Sequence, residues 1–245
     1  MKKGAVLFSF ASIALLFCAA CSSPSRSVRV EPEPLPPNEI VDFGVLYSQN
    51  CAGCHGPGGK DGTAIALGDP VFLAIADDAT IRRTATNGVR GTPMSAFGQS
   101  AGGMLTDKQI DALVRGIRSW AKPDALGGTI PPSYTAQAAG NPQRGADVYR
   151  TFCSSCHGAD GRGGKATSIV DGAYLALVSD QELRLNVILG RPARGAPDWR
   201  GDLPGRPLSE QEVSDVVAWL AAQRPRFPGQ PYPSSAMNSG TGEIR

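Results

Sequence analysis

The stretch that decides the fold occurs twice, as CAGCHG at residues 51–56 and as CSSCHG at residues 153–158. The separation of 102 residues between His55 and His157 recurs along the chain. It relates further pairs, namely Tyr47 and Tyr149, Asp69 and Asp171, Asp78 and Asp180, Arg82 and Arg184, Gly88 and Gly190, and Phe97 and Trp199. A constant spacing over so many positions indicates an internal duplication, so the chain holds two related units.

Each unit is predicted to end in an amphipathic helix. Capping boxes start at Thr106 and at Ser209, one residue later in the second copy, and apolar residues follow at helical spacing. The 30 Gly and 20 Pro residues favour short helices joined by ordered loops over a large sheet. The predicted fold class is therefore all-α, with two tandem helical domains.

The composition along the chain suggests where these domains begin and end. A Pro-rich stretch precedes the first unit, and a Gly- and Pro-rich loop separates the two. The predicted organisation is a signal peptide at residues 1–20, an extended tether at 21–40, the first domain at 41–122, a linker at 123–141, the second domain at 142–228 and a flexible tail at 229–245.

The N-terminus indicates export. Lys2 and Lys3 precede an apolar run over residues 5–17 that is too short to span a bilayer. The run ends in small residues before Cys21, which resembles a bacterial lipobox, although Cys18 stands where that motif usually has Leu. We expect lipidation of Cys21 and a protein anchored to the membrane on its periplasmic or extracytoplasmic face. The alternative is an ordinary cleaved signal that leaves a soluble protein.

A Cys-x-x-Cys-His run is the attachment signature of c-type haem, whose vinyl groups react with the two thiols while the histidine ligates the iron. A zinc site, a redox dithiol and a disulfide are the competing interpretations. The cysteine inventory favours haem, because Cys18 and Cys21 belong to the leader and no thiol is left for a disulfide. Two covalently bound haem c groups are thus predicted, attached at Cys51, Cys54, Cys153 and Cys156, with His55 and His157 as iron ligands.

With the motif, the helix before it and the capped helix at the end, each half resembles a class I c-type cytochrome. The resemblance covers both helical units but not the leader, tether or tail. It implies a methionine ligand from a loop, and Met94 in GTPMSAF at residues 91–97 matches that pattern. It also implies that a proline carbonyl orients the histidine, for which Pro57 or Pro70 is available in the first half.

The second half departs from the family pattern at the methionine. Met94 maps onto Ala196, which cannot ligate iron, and the chain has no third histidine. Met104 and Met237 are the other methionines of the mature chain, and either would need an unusual arrangement to reach the second haem. The sixth ligand of that haem stays open. The absence of a proline between His157 and Pro192 also leaves open how His157 is held.

The expected function is the transfer of single electrons in a respiratory or photosynthetic chain, by a carrier or a subunit of a larger complex. Redox partners would be a quinol oxidoreductase and a terminal oxidase or reductase. With 24 basic and 22 acidic residues, the chain lacks the basic footprint of a nucleic-acid binder. Two alternatives remain. An open sixth position would suit a haem enzyme or a gas sensor, and a redox-inert second haem would suit a structural module.

Overall fold

The computed structural model describes residues 34–201, 203 and 205–225. Cys21, Met237, the predicted signal peptide and the predicted tail lie outside these residues. From residue 36 onward the described chain forms one compact unit. It is helical, as predicted, and the described part contains only two isolated β-bridges and no strand.

Within the described residues, ten α-helices follow one another with the same order in each half. The first half contains α1 Phe43–Asn50, α2 Ala52–His55, α3 Pro70–Ile75, α4 Asp78–Asn87 and α5 Asp107–Arg118. The second half contains α6 Pro142–Phe152, α7 Ser154–His157, α8 Gly172–Leu177, α9 Asp180–Leu189 and α10 Glu210–Ala221. Both predicted capping boxes are present, at the starts of α5 and α10.

In each half the first helix crosses the last one at a glycine. A Cβ atom on Gly116 of α5 would lie 2.0 Å from the ring of Phe43 in α1. A Cβ atom on Gly145 of α6 would lie 2.0 Å from the carbonyl oxygen of Asp215 in α10, and 2.8 Å from Cβ of Trp219. The repeat pairs Phe43 with Gly145 and Gly116 with Trp219. The aromatic residue and the glycine have therefore exchanged helices, while the close approach of the helices is kept.

An arginine near the end of the last helix ties each half together in the same way. Arg118 donates to the carbonyl oxygens of Leu73 and Ala76 at 2.5 and 2.6 Å. Arg224 donates to the equivalent carbonyls of the second half at 3.0 and 2.8 Å. These bonds satisfy carbonyls at the ends of short helices, which have no partner within the helix.

The two halves share one apolar core. Helix α3 of the first half packs against α9 of the second, and the cluster of buried side chains is continuous from Leu46 and Ile110 to Leu185 and Ile188. Burial of apolar surface between the halves opposes their separation. The two motif-bearing halves are thus parts of a single packed body.

Part of the predicted linker is bound rather than free. The Ser133 N–H donates to the Glu210 carboxylate at 2.8 Å, and the Ser133 carbonyl accepts two bonds from Arg184 at 3.0 and 2.8 Å. Gln181 adds a 2.7 Å bond to the carbonyl of Tyr134. Arg184 also pairs with Glu210, and its side chain is only 3% exposed. The connecting segment is therefore fastened to α9 and α10 through a buried arginine.

The repeat supplies a matched pair of arginines for testing this connection. Arg82 occupies the position of Arg184 in the first half, but its side chain is 37% exposed and its partners are acidic residues on the surface. We expect Arg184→Met to lower the free energy of unfolding by roughly 2–4 kcal/mol, because it leaves buried polar partners unpaired. Arg82→Met should cost less than about 1 kcal/mol. Denaturant unfolding of both variants measures the difference, and equal losses would contradict the assignment.

Candidate haem sites

Each motif lies on a single helical turn that continues from the preceding helix. Helix α1 runs into Cys51, and the His55 N–H donates to the Cys51 carbonyl at 3.0 Å. The turn ends at Gly56, whose φ is 76° and where a Cβ atom would lie 1.7 Å from the carbonyl oxygen of Lys60. Gly158 ends the second turn with a φ of 83°. Glycine after each histidine is therefore required by the backbone conformation.

The histidine rings are oriented by backbone carbonyls. The Nδ1 atom of His55 lies 2.7 Å from the carbonyl oxygen of Ile65, and Nδ1 of His157 lies 2.8 Å from that of Thr167. A carbonyl can only accept, so each Nδ1 carries the hydrogen and each Nε2 keeps its lone pair. Such a bond to the second ring nitrogen is the usual support of a metal-ligating histidine. Both rings are prepared to ligate iron through Nε2.

This arrangement corrects the expectation about prolines. The carbonyl that orients His55 belongs to Ile65, and neither Pro57 nor Pro70 supplies it. The second half achieves the same orientation at Thr167, again 10 residues after the histidine, without any proline. The missing proline therefore leaves His157 as well oriented as His55.

A buried tyrosine supports each motif from the preceding helix. The hydroxyl of Tyr47 donates to the Gly56 carbonyl at 2.9 Å, and Tyr149 makes the equivalent bond to Gly158. Burial, with a smaller contribution from Cys51, raises the pKa of Tyr47 to about 12. The phenol therefore remains a donor at neutral pH and holds the residue that follows the histidine.

The motif cysteines fit thioether attachment better than the competing chemistries. None of the four takes part in a disulfide. Among the residues described, no three His, Cys, Asp or Glu side chains converge on a common point, so the pairs do not form a four-thiolate zinc site. Burial, aided by the neighbouring cysteine, raises the pKa of Cys51 and of Cys153 to about 11. A redox dithiol needs the opposite shift.

The two histidines differ in exposure. His55 is buried, with 8% of its surface accessible, and this burial lowers its pKa so that the ring is neutral at pH 7. His157 is only partly buried. The first site is thus more enclosed than the second, although their hydrogen bonds are the same.

The loops predicted to face the irons share one backbone hydrogen bond, but only the second contains a short 3-10 helix, at Pro192–Arg194, and their side chains differ. The Val89 N–H donates to the Met94 carbonyl at 2.8 Å, and the Arg191 N–H donates to the Ala196 carbonyl at 2.9 Å. Ala196 therefore occupies the place of Met94, as the repeat predicts. Among the described residues Met104 is the other methionine, and its side chain is 83% exposed. No methionine lies in the described part of the second half.

Comparison with known proteins agrees with this geometry. Residues 39–115 match the family model for cytochrome c oxidase, cbb3-type, subunit III, and residues 142–223 match the model for cytochrome c. The chain matches a dihaem class I c-type cytochrome. Its two cytochrome c domains carry covalently bound haem c, and the oriented histidines beside paired thiols fit that group.

Several curated proteins resemble the dihaem cytochrome. The cbb3-type cytochrome c oxidase subunit CcoP of Azospirillum sp. (strain B510) is 34% identical over 50% of this chain and 40% of its own length. The cytochrome bc1 complex cytochrome c subunit of Mycobacterium bovis is 24% identical over 75% of this chain and 64% of its own length. The chain thus covers less than two thirds of each of these relatives.

One solved structure also resembles it. The reducing HAO-like protein complex of Kuenenia stuttgartiensis aligns with a TM-score of 0.45 and 21% identity, over 78% of this chain and 100% of that chain.

Sequence reasoning missed three features of the sites. It did not identify the carbonyls of Ile65 and Thr167, because a backbone acceptor leaves no trace in residue identity. It also missed a 2.9 Å bond from Arg191 to the Thr63 carbonyl, which joins the two halves. The one available signal was the repeat, which pairs Arg191 with an apolar residue, Val89.

Proposed function

We propose that this dihaem cytochrome is a membrane-anchored electron carrier, or a subunit of a larger complex, that passes single electrons from a quinol-oxidising complex to a terminal oxidase or reductase. The observation that carries the proposal is the packing of the two histidine sites into one body through α3 and α9. Two redox groups held in a fixed relation can exchange electrons without a separate docking step. Relatives named as subunits of cbb3 oxidases and of bc1 complexes support this place in a chain.

The proposed ligand roles are supported by the orientation of the two histidine rings. Cys51 and Cys54 would hold the first haem and Cys153 and Cys156 the second, with Nε2 of His55 and of His157 as iron ligands. Met94 would be the second protein ligand of the first haem iron. When bound, haem c supplies a one-electron ferric–ferrous couple, and a thioether ligand raises its potential. The chain itself orients the rings through Ile65 and Thr167 and excludes water from His55.

The anchor is proposed from the leader alone. Lipidation of Cys21 would hold the protein on the periplasmic or extracytoplasmic face of a membrane, with residues 21–40 as its tether. In the part of the chain that the structure describes, no helix is long and apolar enough to cross a bilayer.

Stopped-flow spectroscopy tests the carrier function. The oxidised protein is mixed with membranes that contain a quinol-oxidising complex, and absorbance at the α-bands of the two haems is followed. We expect rapid reduction of the first haem, with electrons passing to the second at a rate independent of protein concentration. Reduction that is no faster than by quinol without membranes would refute the proposal.

A second candidate function rests on Ala196. An iron without a sixth protein ligand can bind a small gas, so the second domain would serve as a ligand sensor or as a haem enzyme fed with electrons by the first. Carbon monoxide added to the reduced protein separates the possibilities. A spectral shift in half of the haem favours an open site at His157, whereas no shift shows that a sixth ligand is present.

A further inference from the structure

The side chain of Arg191 crosses from one domain to the other. Arg191 follows the end of α9, at the start of the loop that carries Ala196. Its backbone exchanges two hydrogen bonds with Ala196, at 2.9 and 3.2 Å, which close the loop. Its Nη2 atom donates to the carbonyl oxygen of Thr63 at 2.9 Å. One residue therefore closes the ligand loop of the second haem and contacts the first domain.

The contact lies in the segment that orients His55. Thr63 is followed by Ala64, whose N–H donates to the Cys54 carbonyl at 3.0 Å, and by Ile65, whose carbonyl accepts from Nδ1 of His55 at 2.7 Å. Thr63 is thus two residues before Ile65, whose carbonyl sets the plane of the His55 imidazole. A movement of Thr63 can therefore displace that carbonyl. The hydrogen bond from Arg191 restrains this segment from outside the first domain.

The repeat shows that the bond from Arg191 to Thr63 is not duplicated in the first half. The residue equivalent to Arg191 in the first half is Val89, which has no side-chain donor. The second ligand loop contacts the histidine segment of the first domain, and the first ligand loop has no counterpart of this bond. Within these loops, the bond from the Arg191 N–H to the Ala196 carbonyl has a counterpart between Val89 and Met94. Their symmetry is broken at the residue that joins the two sites.

A cleft separates the two segments beside this bond. Residues 60–62 and 64–66 of the first domain and residues 189–194 of the second are among those that line a cavity of about 210 Å³. Because close packing is interrupted there, apolar contacts do little to hold these two segments against each other. The hydrogen bond of Arg191 is the polar tie across the junction, and Arg194 lines the same cleft.

We propose that Arg191 is a positioning residue that couples the ligand loop of the second haem, residues 191–196, to the segment that orients His55, residues 63–65. A change in the second loop, such as binding of a ligand beside Ala196, is transmitted to the plane of the His55 ring. The inference rests on the proposed ligands of the two haems. It adds a route by which the second site adjusts the first.

Other charges near Arg191 define the alternative explanation. Glu182 and Tyr174 lie close enough for Arg191 to lower their pKa values, which burial raises in both cases. The alternative is that Arg191 serves only as the counter-ion of Glu182. In that case Glu182→Gln would remove the need for it, and the double variant with Arg191→Met would behave like the wild type.

Amide hydrogen exchange in the full-length protein with both haems attached tests the coupling. We expect Arg191→Met to accelerate exchange at Ala64 by about threefold to tenfold, as the loss of one exposed hydrogen bond of ordinary strength allows. Arg194→Met is the matched control, since it removes the same charge from the same cleft and should leave Ala64 unchanged. Arg191→Lys keeps the charge without the guanidinium and should resemble Arg191→Met. The thermal unfolding midpoint shows that each variant is folded.

The orientation of His55 is read separately, from the hyperfine-shifted methyl resonances of the first haem in the oxidised protein. Arg191→Met should shift them, and Arg194→Met should not. Unchanged exchange at Ala64 in Arg191→Met, the same effect in Arg194→Met, or rescue by Glu182→Gln would overturn the proposal. The exchange measurement does not depend on electron delivery. Failure of the proposed carrier function in the stopped-flow test can therefore be told apart from failure of the coupling through Arg191.

Discussion

Replacing Met94 with alanine is expected to lower the midpoint potential of the first haem by roughly 0.2 V, a part of the about 0.8 V range that axial ligation covers. A thioether stabilises ferrous over ferric iron, and the variant removes it from a loop whose backbone is held by its own hydrogen bonds. The first site should also become able to bind carbon monoxide, so the amount bound per protein rises by one. Spectroelectrochemical titration and carbon monoxide titration measure the two effects.

Met104 provides the control for this experiment. Its side chain is 83% exposed and lies in the same domain, so Met104→Ala should leave both the potential and the carbon monoxide stoichiometry unchanged. An unchanged potential in Met94→Ala would show that another residue ligates the first iron. Equal effects of Met104→Ala and Met94→Ala would likewise contradict the assignment of Met94 as the ligand of the first iron.

Installing methionine at Ala196 is expected to raise the potential of the second haem by a similar amount, roughly 0.2 V, and to remove its binding of carbon monoxide. The backbone bond from Arg191 to Ala196 matches that from Val89 to Met94, so the new side chain starts from the equivalent place. Ala196 is partly buried, as Met94 is. The variant would convert the second site into a copy of the first.

Ala193→Met is the control for the second loop, because Ala193 is exposed in the same loop but does not hold the place of Met94. It should leave the potential and carbon monoxide binding as in the wild type. A wild-type second haem that binds no carbon monoxide, together with no change in Ala196→Met, would show that a sixth ligand is already present.

The features predicted correctly are those that depend on the side chains of residues close together in the sequence. The two motifs and the capping boxes at Thr106 and Ser209 are local, so a few neighbouring residues specify them. The repeat extended this information to the correspondence of Met94 and Ala196. The all-α fold and the cytochrome c domains are confirmed.

The expectation that failed depended on the path of a loop. A proline was expected to supply the carbonyl for the histidine, but every residue has a carbonyl, and the loop brings Ile65 and Thr167 to the rings. The bound connecting segment was missed for a similar reason. Arg184 and its repeat equivalent Arg82 have the same identity, and only their surroundings make one buried and the other exposed.

The amino-acid sequence alone determined the haem chemistry of this protein, because covalent attachment and iron ligation need particular atoms at particular spacings. The tertiary structure decided how the two sites are related. Packing of α3 on α9 and the bond from Arg191 to Thr63 join residues that are more than 100 positions apart, and no local pattern records such a contact. Backbone carbonyls and buried surfaces act by position, so their roles become visible only when the chain is folded.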